Sequence, residues 1–294
     1  MRITAIINPV SGAGLDASAA DRRVGLLRDA LARDGLSAAI HLTERSGHAR
    51  ELAQGAVASG ADLALVWGGD GTVNEAGSAL VDSSTALGLV PAGSGNGLAA
   101  GLCVPWDPVA AIQKAISSPA RSIDVGFLDD RPFFNVAGIG FDAHIAALFN
   151  RRARGSRGRW PYVFIGVREG CRYCGREYRV RLDNREHRSK ALLLAFANGR
   201  EYGSGACIAP GAKLDDGLLE AAIVEDRSIL ARFWHTRYLA MGAFDRTPGV
   251  QIHQVRSATI ETGGPIEYHL DGEPGVTSNR VEVRIQPGAL KVRA

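Results

Sequence analysis

Two apolar runs in the N-terminal half, ADLALVW at 61–67 and TALGLV at 85–90, each break into a glycine-rich loop. These loops, GGDGTVNE at 68–75 and PAGSGN at 91–96, are each followed by a helix-like stretch. Upstream, RITAII and LSAAIHL read as strands. DASAADRRVGLLRDALARDG reads as a helix closed by Gly35, and SGHARELAQGAVASG as a helix with Ser46 near its start and Gly60 past its end. Strand, helix and strand in alternation predict a mostly parallel sheet covered by helices on both faces. Such a sheet takes its ligand in the crevice at the carboxyl ends of its strands, where the two glycine loops fall.

After RSIDVGFL the texture changes to short strands punctuated by Gly, Asp and Asn: FFNVAGIGF, EYRVRLD, KALLLAFAN, GLLEAAIV, ATIETG, IEYHL and RVEVRI. Two helices are expected among them, around DAHIAALFN and SILARFWHTRYLAMG. The division is therefore an α/β nucleotide-binding domain over 1–124 and a β-rich domain over 125–294. A length of 294 residues suits two domains. With 46% hydrophobic and 22% charged residues the composition is that of a folded globular chain. The longest strictly apolar run, ALLLAFA at 191–197, is far short of the ~18–20 residues of a spanning helix. The N-terminus reads as a first strand rather than a secretion signal, which predicts a cytoplasmic protein. Cys171 and Cys174 form a CxxC, but Cys103 and Cys207 stand alone, so the four read as chance thiols and not a zinc or disulfide framework.

Residues 1–124 carry 9 Lys/Arg against 12 Asp/Glu, and residues 125–294 carry 25 against 19. Most of the basic excess lies between 151 and 190. That face could meet anionic lipid or only water, and no RNA-binding motif accompanies it, so no nucleic-acid partner is expected.

GxxxxGK[ST] is absent, as are the HRD and DFG elements of protein kinases. In GGDGTVNE, the glycines Gly68, Gly69 and Gly71 would let backbone N–H groups and the helix start approach a phosphate chain, with Asp70 as the acid beside it. The plain alternative is a glycine turn that supplies positive φ, with Asp70 as a cap. NPVSG places Asn8 and Ser11 after the first strand, and Ser94, Gly95 and Asn96 make a second donor-rich loop. A GxGxxA reading at Gly95, Gly97 and Ala100 comes too late in the domain for a dinucleotide fingerprint. Downstream, DGEPG alone is a hairpin turn.

The segments INPVSG, GHARELA, WGGDGTVNE, PAGSGNGLA, RSIDVG, FNVAGIGFDA, KLDDGLLE and LDGE occur in an order that resembles the diacylglycerol kinase catalytic-domain family, which includes bacterial lipid kinases and sphingosine and ceramide kinases. The resemblance implies a phosphofructokinase/NAD-kinase-like α/β domain, a C-terminal β-sandwich-like domain and an active site in the cleft between them. It also implies an ATP-dependent, Mg²⁺-requiring lipid kinase that phosphorylates a hydroxyl of diacylglycerol or a related long-chain lipid.

By that resemblance, Thr72, Asn74, Glu75 and Thr43 lie near the nucleotide, Glu273 is the base, and Asp124 is linked through water to the active-site Mg²⁺. The Asp216 carboxylate and the carbonyls of Lys213 and Leu218 would hold a second Mg²⁺, with Asp215 a neighbouring rival. Gly97 stands where many bacterial diacylglycerol kinases carry an aspartate, which brings this loop closer to the sphingosine kinase version. The lipid would be met by transient peripheral contact at the inner membrane surface, through the arginines of NRRARGSRGRWPYVF with Trp160, Tyr162 and Phe164. A homodimer is compatible with all of this. Two other readings stay open: an NAD kinase-like enzyme, and a non-catalytic regulator that binds lipid or nucleotide.

Overall fold

The computed structural model describes residues 1–12, 18–93, 95–152, 169, 172–203, 205–228, 231–232, 237–239 and 241–294. Ser94, Cys171, Trp160, Tyr162 and Phe164, with most of the basic aromatic segment and part of the expected helix 228–242, lie outside them. The chain divides into two units, Met1–Ile123 with Gly288–Ala294, and Asp124–Pro287. Residues 288–294, assigned above to the second domain, thus belong to the first unit. The reason is local pairing: Val292 is a parallel partner of Leu87, and Arg293 donates from its side chain to the carbonyls of Ala115 and Ile116, both at 3.1 Å.

The first unit follows the expected alternation. Its elements are β1 (Ile3–Ile7), α1 (Ala19–Ala32), β2 (Ala38–Leu42), α2 (His48–Ala58), β3 (Leu63–Gly68), α3 (Asp70–Leu80), β4 (Ala86–Pro91), α4 (Gly97–Gly101) and α5 (Pro108–Ser117). All strand pairs are parallel and the order is β2-β1-β3-β4. Every residue of β1, β3 and β4 is buried, whereas β2 is a half-exposed edge. Continuous Ile, Leu, Val and Ala runs suit strands covered on both faces. The helices cover them with small stripes, Leu27, Ala30 and Leu31 on α1 and Ala111, Ile112 and Ala115 on α5. Gly35 closes α1 as expected, with φ +66° and Leu36 N–H returning to the Leu31 carbonyl at 3.0 Å.

The second unit is antiparallel. It contains β5 (Arg121–Leu128, entered from the first unit), β6 (Arg131–Phe133), β7 (Val136–Gly140), α6 (Phe141–Arg152), β8 (Arg176–Leu182), β9 (Arg185–Ala197), β10 (Leu219–Glu225), β11 (Val250–Val255), β12 (Ser257–Glu261), β13 (Ile266–Leu270), β14 (Glu273–Thr277) and β15 (Arg280–Val292, whose end returns to the first unit). The order is β14-β13-β7-β9-β8-β12-β15, and β10 lies between β9 and β11. Residues of one strand alternate between two clusters. Leu194 and Phe196 of β9 and Ala221 and Ile223 of β10 enter one, and Ala195, Ala197, Ala222 and Val224 enter the other. A period of two feeding cores on opposite faces is the signature of a sandwich. Strands β11 and β14, absent from the sequence reading, carry Gln, His, Gly and Pro rather than apolar runs.

Candidate functional site

The strand order of the first unit reverses between β1 and β3, and the loops that leave their carboxyl ends carry the residues singled out above. Asn8 follows β1. Its N–H donates to the Trp67 carbonyl (2.9 Å), its Nδ2 to Thr72 Oγ1 (2.8 Å), and its Oδ1 accepts from Val10 N–H (3.1 Å). Ser11 Oγ donates back to the Asn8 carbonyl at 2.9 Å. Arg23 of α1, unmarked by any motif, holds this loop: its guanidinium bonds the Asn8 carbonyl, Ser11 Oγ (3.0 Å) and the Ser11 carbonyl (2.6 Å), and stacks over the Trp67 ring. Burial, with Arg22 adding, lowers its pKa.

Gly68 and Gly69 of the second loop serve close approach rather than positive φ. Gly69 is extended (φ −94°, ψ −176°), and neither Gly68, Gly69 nor Gly71 is among the positive-φ glycines. A Cβ at Gly68 would stand 2.6 Å from the Thr72 Cβ, and one at Gly93 2.8 Å from the Gly69 Cα, so the loops after β3 and β4 touch backbone to backbone. Gly12 closes the group from the first loop, since a Cβ there would be 2.6 Å from the Ala92 carbonyl oxygen.

Asp70, the first residue of α3, bridges the loops. Its Oδ2 accepts Asn96 N–H (2.8 Å) and its Oδ1 accepts Gly97 N–H (2.9 Å). Asn96, held at φ +53°, folds its amide onto the Gly93 backbone through bonds of 3.0 and 2.6 Å. Gly97 contributes its backbone N–H, as any residue but proline would, and brings no carboxylate. Gly69, the N-cap of α3, brings no side chain to the helix start. Thr43 joins the edge of the group through its N–H to the Ile7 carbonyl at 2.9 Å. Asn74 lies on α3.

Glu75 does not join this cluster through its carboxylate, which turns to the start of α2. It accepts Gly47 N–H (2.7 Å), Ala49 N–H (3.3 Å) and Ser46 Oγ (3.3 Å). The expected cap Ser46 is a donor here, and Gly47 in the left-handed region is the N-cap. Removing this distant cap with Glu75→Ala is expected to lower stability by about 1 kcal/mol, read as an earlier urea midpoint.

In the second unit, Asp124 is buried and its Oδ2 accepts Gly217 N–H at 2.7 Å, while its own N–H donates to the Leu214 carbonyl at 2.7 Å. Asp124 is thereby fastened to the turn that carries Lys213, Asp216 and Leu218. There Gly217 has φ +73° and Asp216 Oδ1 accepts Leu218 N–H at 3.0 Å. One exposed carboxylate and two carbonyls on a single turn suit a hard cation that keeps several waters. Among the described residues no group of three or more His, Cys, Asp and Glu forms a metal cluster.

Glu273 opens β14, opposite Leu270 across a two-residue turn with Asp271 at φ +49° and Gly272 at φ +90°. The turn is braced from the side. The Asp271 carboxylate accepts the N–H groups of Phe134 (2.9 Å), Asn135 (2.9 Å) and Val136 (3.1 Å). Beneath it lies a buried polar group to which no motif assigned a role: His269 Nε2 is 2.9 Å from Asp142 Oδ2, which also accepts the Tyr202 hydroxyl at 2.6 Å. Asp142 lies in FDA and His269 in YHLDGE, 127 residues apart, and nothing in their spacing links them.

Comparison with known proteins finds a family for both units. Residues 2–128 match the diacylglycerol kinase catalytic domain, and residues 135–294 the YegS C-terminal NAD kinase beta sandwich-like domain. A relative named "Probable lipid kinase YegS-like" from Chromohalobacter salexigens is 33% identical over 275 residues, covering 92% of this chain and 87% of that protein. Another of that name from Citrobacter koseri is 27% identical, covering 97% and 94%. A crystal structure of a diacylglycerol kinase from Bacillus anthracis superposes with a TM-score of 0.78 at 22% identity, covering 99% and 96%, a likeness of fold. Among the described residues no helix is long and apolar enough to cross a membrane. The chain belongs to the lipid kinase family in which a diacylglycerol kinase catalytic domain is followed by a YegS-type C-terminal domain.

Proposed function

We propose that this kinase transfers the γ-phosphoryl group of ATP to a hydroxyl of diacylglycerol or a related long-chain lipid presented at a membrane surface. The observation that carries the nucleotide half is the convergence of the loops after β1, β3 and β4 around Asp70. Their glycines remove side chains at the approach, and the α3 N-terminus supplies N–H groups and a favourable dipole for phosphate oxygens. Asn8, Ser11, Thr43, Thr72, Asn74, Gly95 and Asn96 are the groups proposed to line the nucleotide. With both carboxylate oxygens bonded to Asn96 and Gly97, Asp70 is assigned to holding these loops in register rather than to carrying a proton.

Proton transfer is assigned to Glu273. The lipid hydroxyl gives its proton to the Glu273 carboxylate, its oxygen bonds the γ-phosphorus, and the bond to the β,γ-bridging oxygen breaks to release ADP. Mg²⁺, when bound, neutralises charge on the phosphates. Asp124 is proposed to act toward it through water, and the Asp216 carboxylate with the Lys213 and Leu218 carbonyls to hold a second ion that stiffens the turn.

Labelled-phosphate transfer from ATP to diacylglycerol, monoacylglycerol, sphingosine, ceramide and NAD tests the reading. Label in a long-chain lipid is the expected result. Label in NAD alone would replace it with the NAD kinase reading, and label in none would leave a binding protein.

A further inference from the structure

The turn that carries Glu273 is held on one side by Asp271 and on the other by His269. In a hairpin with a two-residue turn the Gly272 N–H is not spent in the strand ladder. Here it donates to His269 Nδ1 at 3.3 Å. The other ring nitrogen, Nε2, meets Asp142 Oδ2 at 2.9 Å, so the two partners select the tautomer with the proton on Nε2 and the lone pair on Nδ1. Both side chains are buried, His269 at 3% and Asp142 at 6% exposure. The pair crosses β7 only because Gly138, the register partner of His269, has no side chain; a Cβ there would overlap both Asp142 Oδ2 and His269 Nε2.

A buried polar pair contributes less stability than an apolar filler of the same volume, so its presence points to a role that a filler cannot supply. What this pair does is present a fixed acceptor to the Asp271–Gly272 peptide, one residue before Glu273. We propose that His269 is a positioning residue of phosphoryl transfer: Asp142 and Tyr202 orient the imidazole, and its Nδ1, by holding the Gly272 N–H, aims the Glu273 carboxylate at the acceptor hydroxyl. The inference rests on the assignment of Glu273 as base. A general base displaced by a fraction of an ångström loses near-attack geometry while substrates still bind, so the effect belongs in kcat rather than KM.

Four elements pack around the ring. Asp142 faces it from α6, Tyr202 from the segment after β9 and Asp271 from the turn, and β7 brings only Gly138. Burial disfavours a charged imidazole, but Asp142, with Asp271 adding, outweighs it and raises the pKa above the ordinary histidine value. A second proton would enter at Nδ1 and displace the Gly272 N–H.

Two substitutions separate the ring nitrogens. His269→Asn keeps an acceptor near the Nδ1 position, whereas His269→Gln keeps a donor near Nε2 for Asp142 and loses the acceptor for Gly272. With a lipid found active for the wild-type kinase, kcat of His269→Gln is expected to fall about tenfold or more below that of His269→Asn, with KM for ATP the same in both. A purely structural role predicts the opposite, because the buried Asp142 keeps its partner in the glutamine variant; kcat of His269→Gln equal to or above that of His269→Asn overturns the proposal. A ¹H–¹⁵N titration of the wild-type protein tests the contact that the proposal needs, independently of folding of the variants and of the kinase reading. The Gly272 amide is expected to shift with the same midpoint as the His269 ring, and an amide that ignores the ring's titration also overturns it. Absence of phosphate transfer to any lipid by the wild type would instead sink the kinase assignment and leave this contact to be judged by the titration alone.

Discussion

Glu273→Gln is expected to lower kcat by about 10²- to 10³-fold, with KM for ATP changed less than about twofold. Glutamine preserves the size and the strand register of the first residue of β14 but cannot accept the hydroxyl proton. The expected loss is that of a general base, and it exceeds what a misplaced hydrogen bond would cause. Fold should be untouched, because Glu273 is exposed and its strand partner Leu270 supplies the packing. Steady-state rates with saturating lipid, compared with circular dichroism of both proteins, check this. A variant that retains more than about a third of kcat would remove Glu273 from the chemistry.

Asp271→Ala is expected to destabilise the second unit by about 3–5 kcal/mol. Three backbone N–H groups, those of Phe134, Asn135 and Val136, lose a charged acceptor at once, and Phe134 and Val136 are each 1% exposed, so water replaces it poorly. Hydrogen bonds to a charged group contribute about 1.5–3 kcal/mol each and are not additive when they share one carboxylate. Alanine adds about 1 kcal/mol of backbone strain at φ +49°, a conformation that asparagine and aspartate adopt more readily. Asp271→Asn should fall between, since its Oδ1 still accepts while its Nδ2 faces a donor. Urea unfolding at equilibrium measures the order wild type, Asn, Ala. Equal midpoints for wild type and Ala would show that the carboxylate is not holding the 134–136 segment.

Much of the candidate site was readable because its residues lie close together in the chain and each loop follows a strand of recognisable pattern. GGDGTVNE and PAGSGN announced themselves by glycine content after buried runs, and Asn8 and Ser11 by their place after the first strand. Of the two reasons offered for the glycines, the plain turn with positive φ is the one that the backbone does not bear out. Gly68 is small because the Thr72 side chain sits over it, and Gly69 and Gly93 because two loops touch, a demand that arises only once β3 and β4 are neighbours. Glu75 also departs from its local context: it lies inside the GGDGTVNE segment, yet its carboxylate caps a different helix 26–29 residues upstream in sequence. Arg23 and His269 carried no signal, and Asp142, though inside the FNVAGIGFDA segment, had no role assigned there, since each gains its meaning from a partner on another element.

The order of buried runs, helices and turns determined the class of each unit, because periodicity and turn chemistry are properties of neighbours along the chain. The eight ordered motifs likewise determined the family. The tertiary structure alone decided which carboxylates are spent on backbone N–H groups, as with Asp70, Asp124 and Asp271, and which histidine lies under the turn of Glu273. It also decided that the last seven residues join the first unit. A hydrogen bond between residues 127 positions apart costs chain entropy that only the assembled core can offset, so no local pattern can record it.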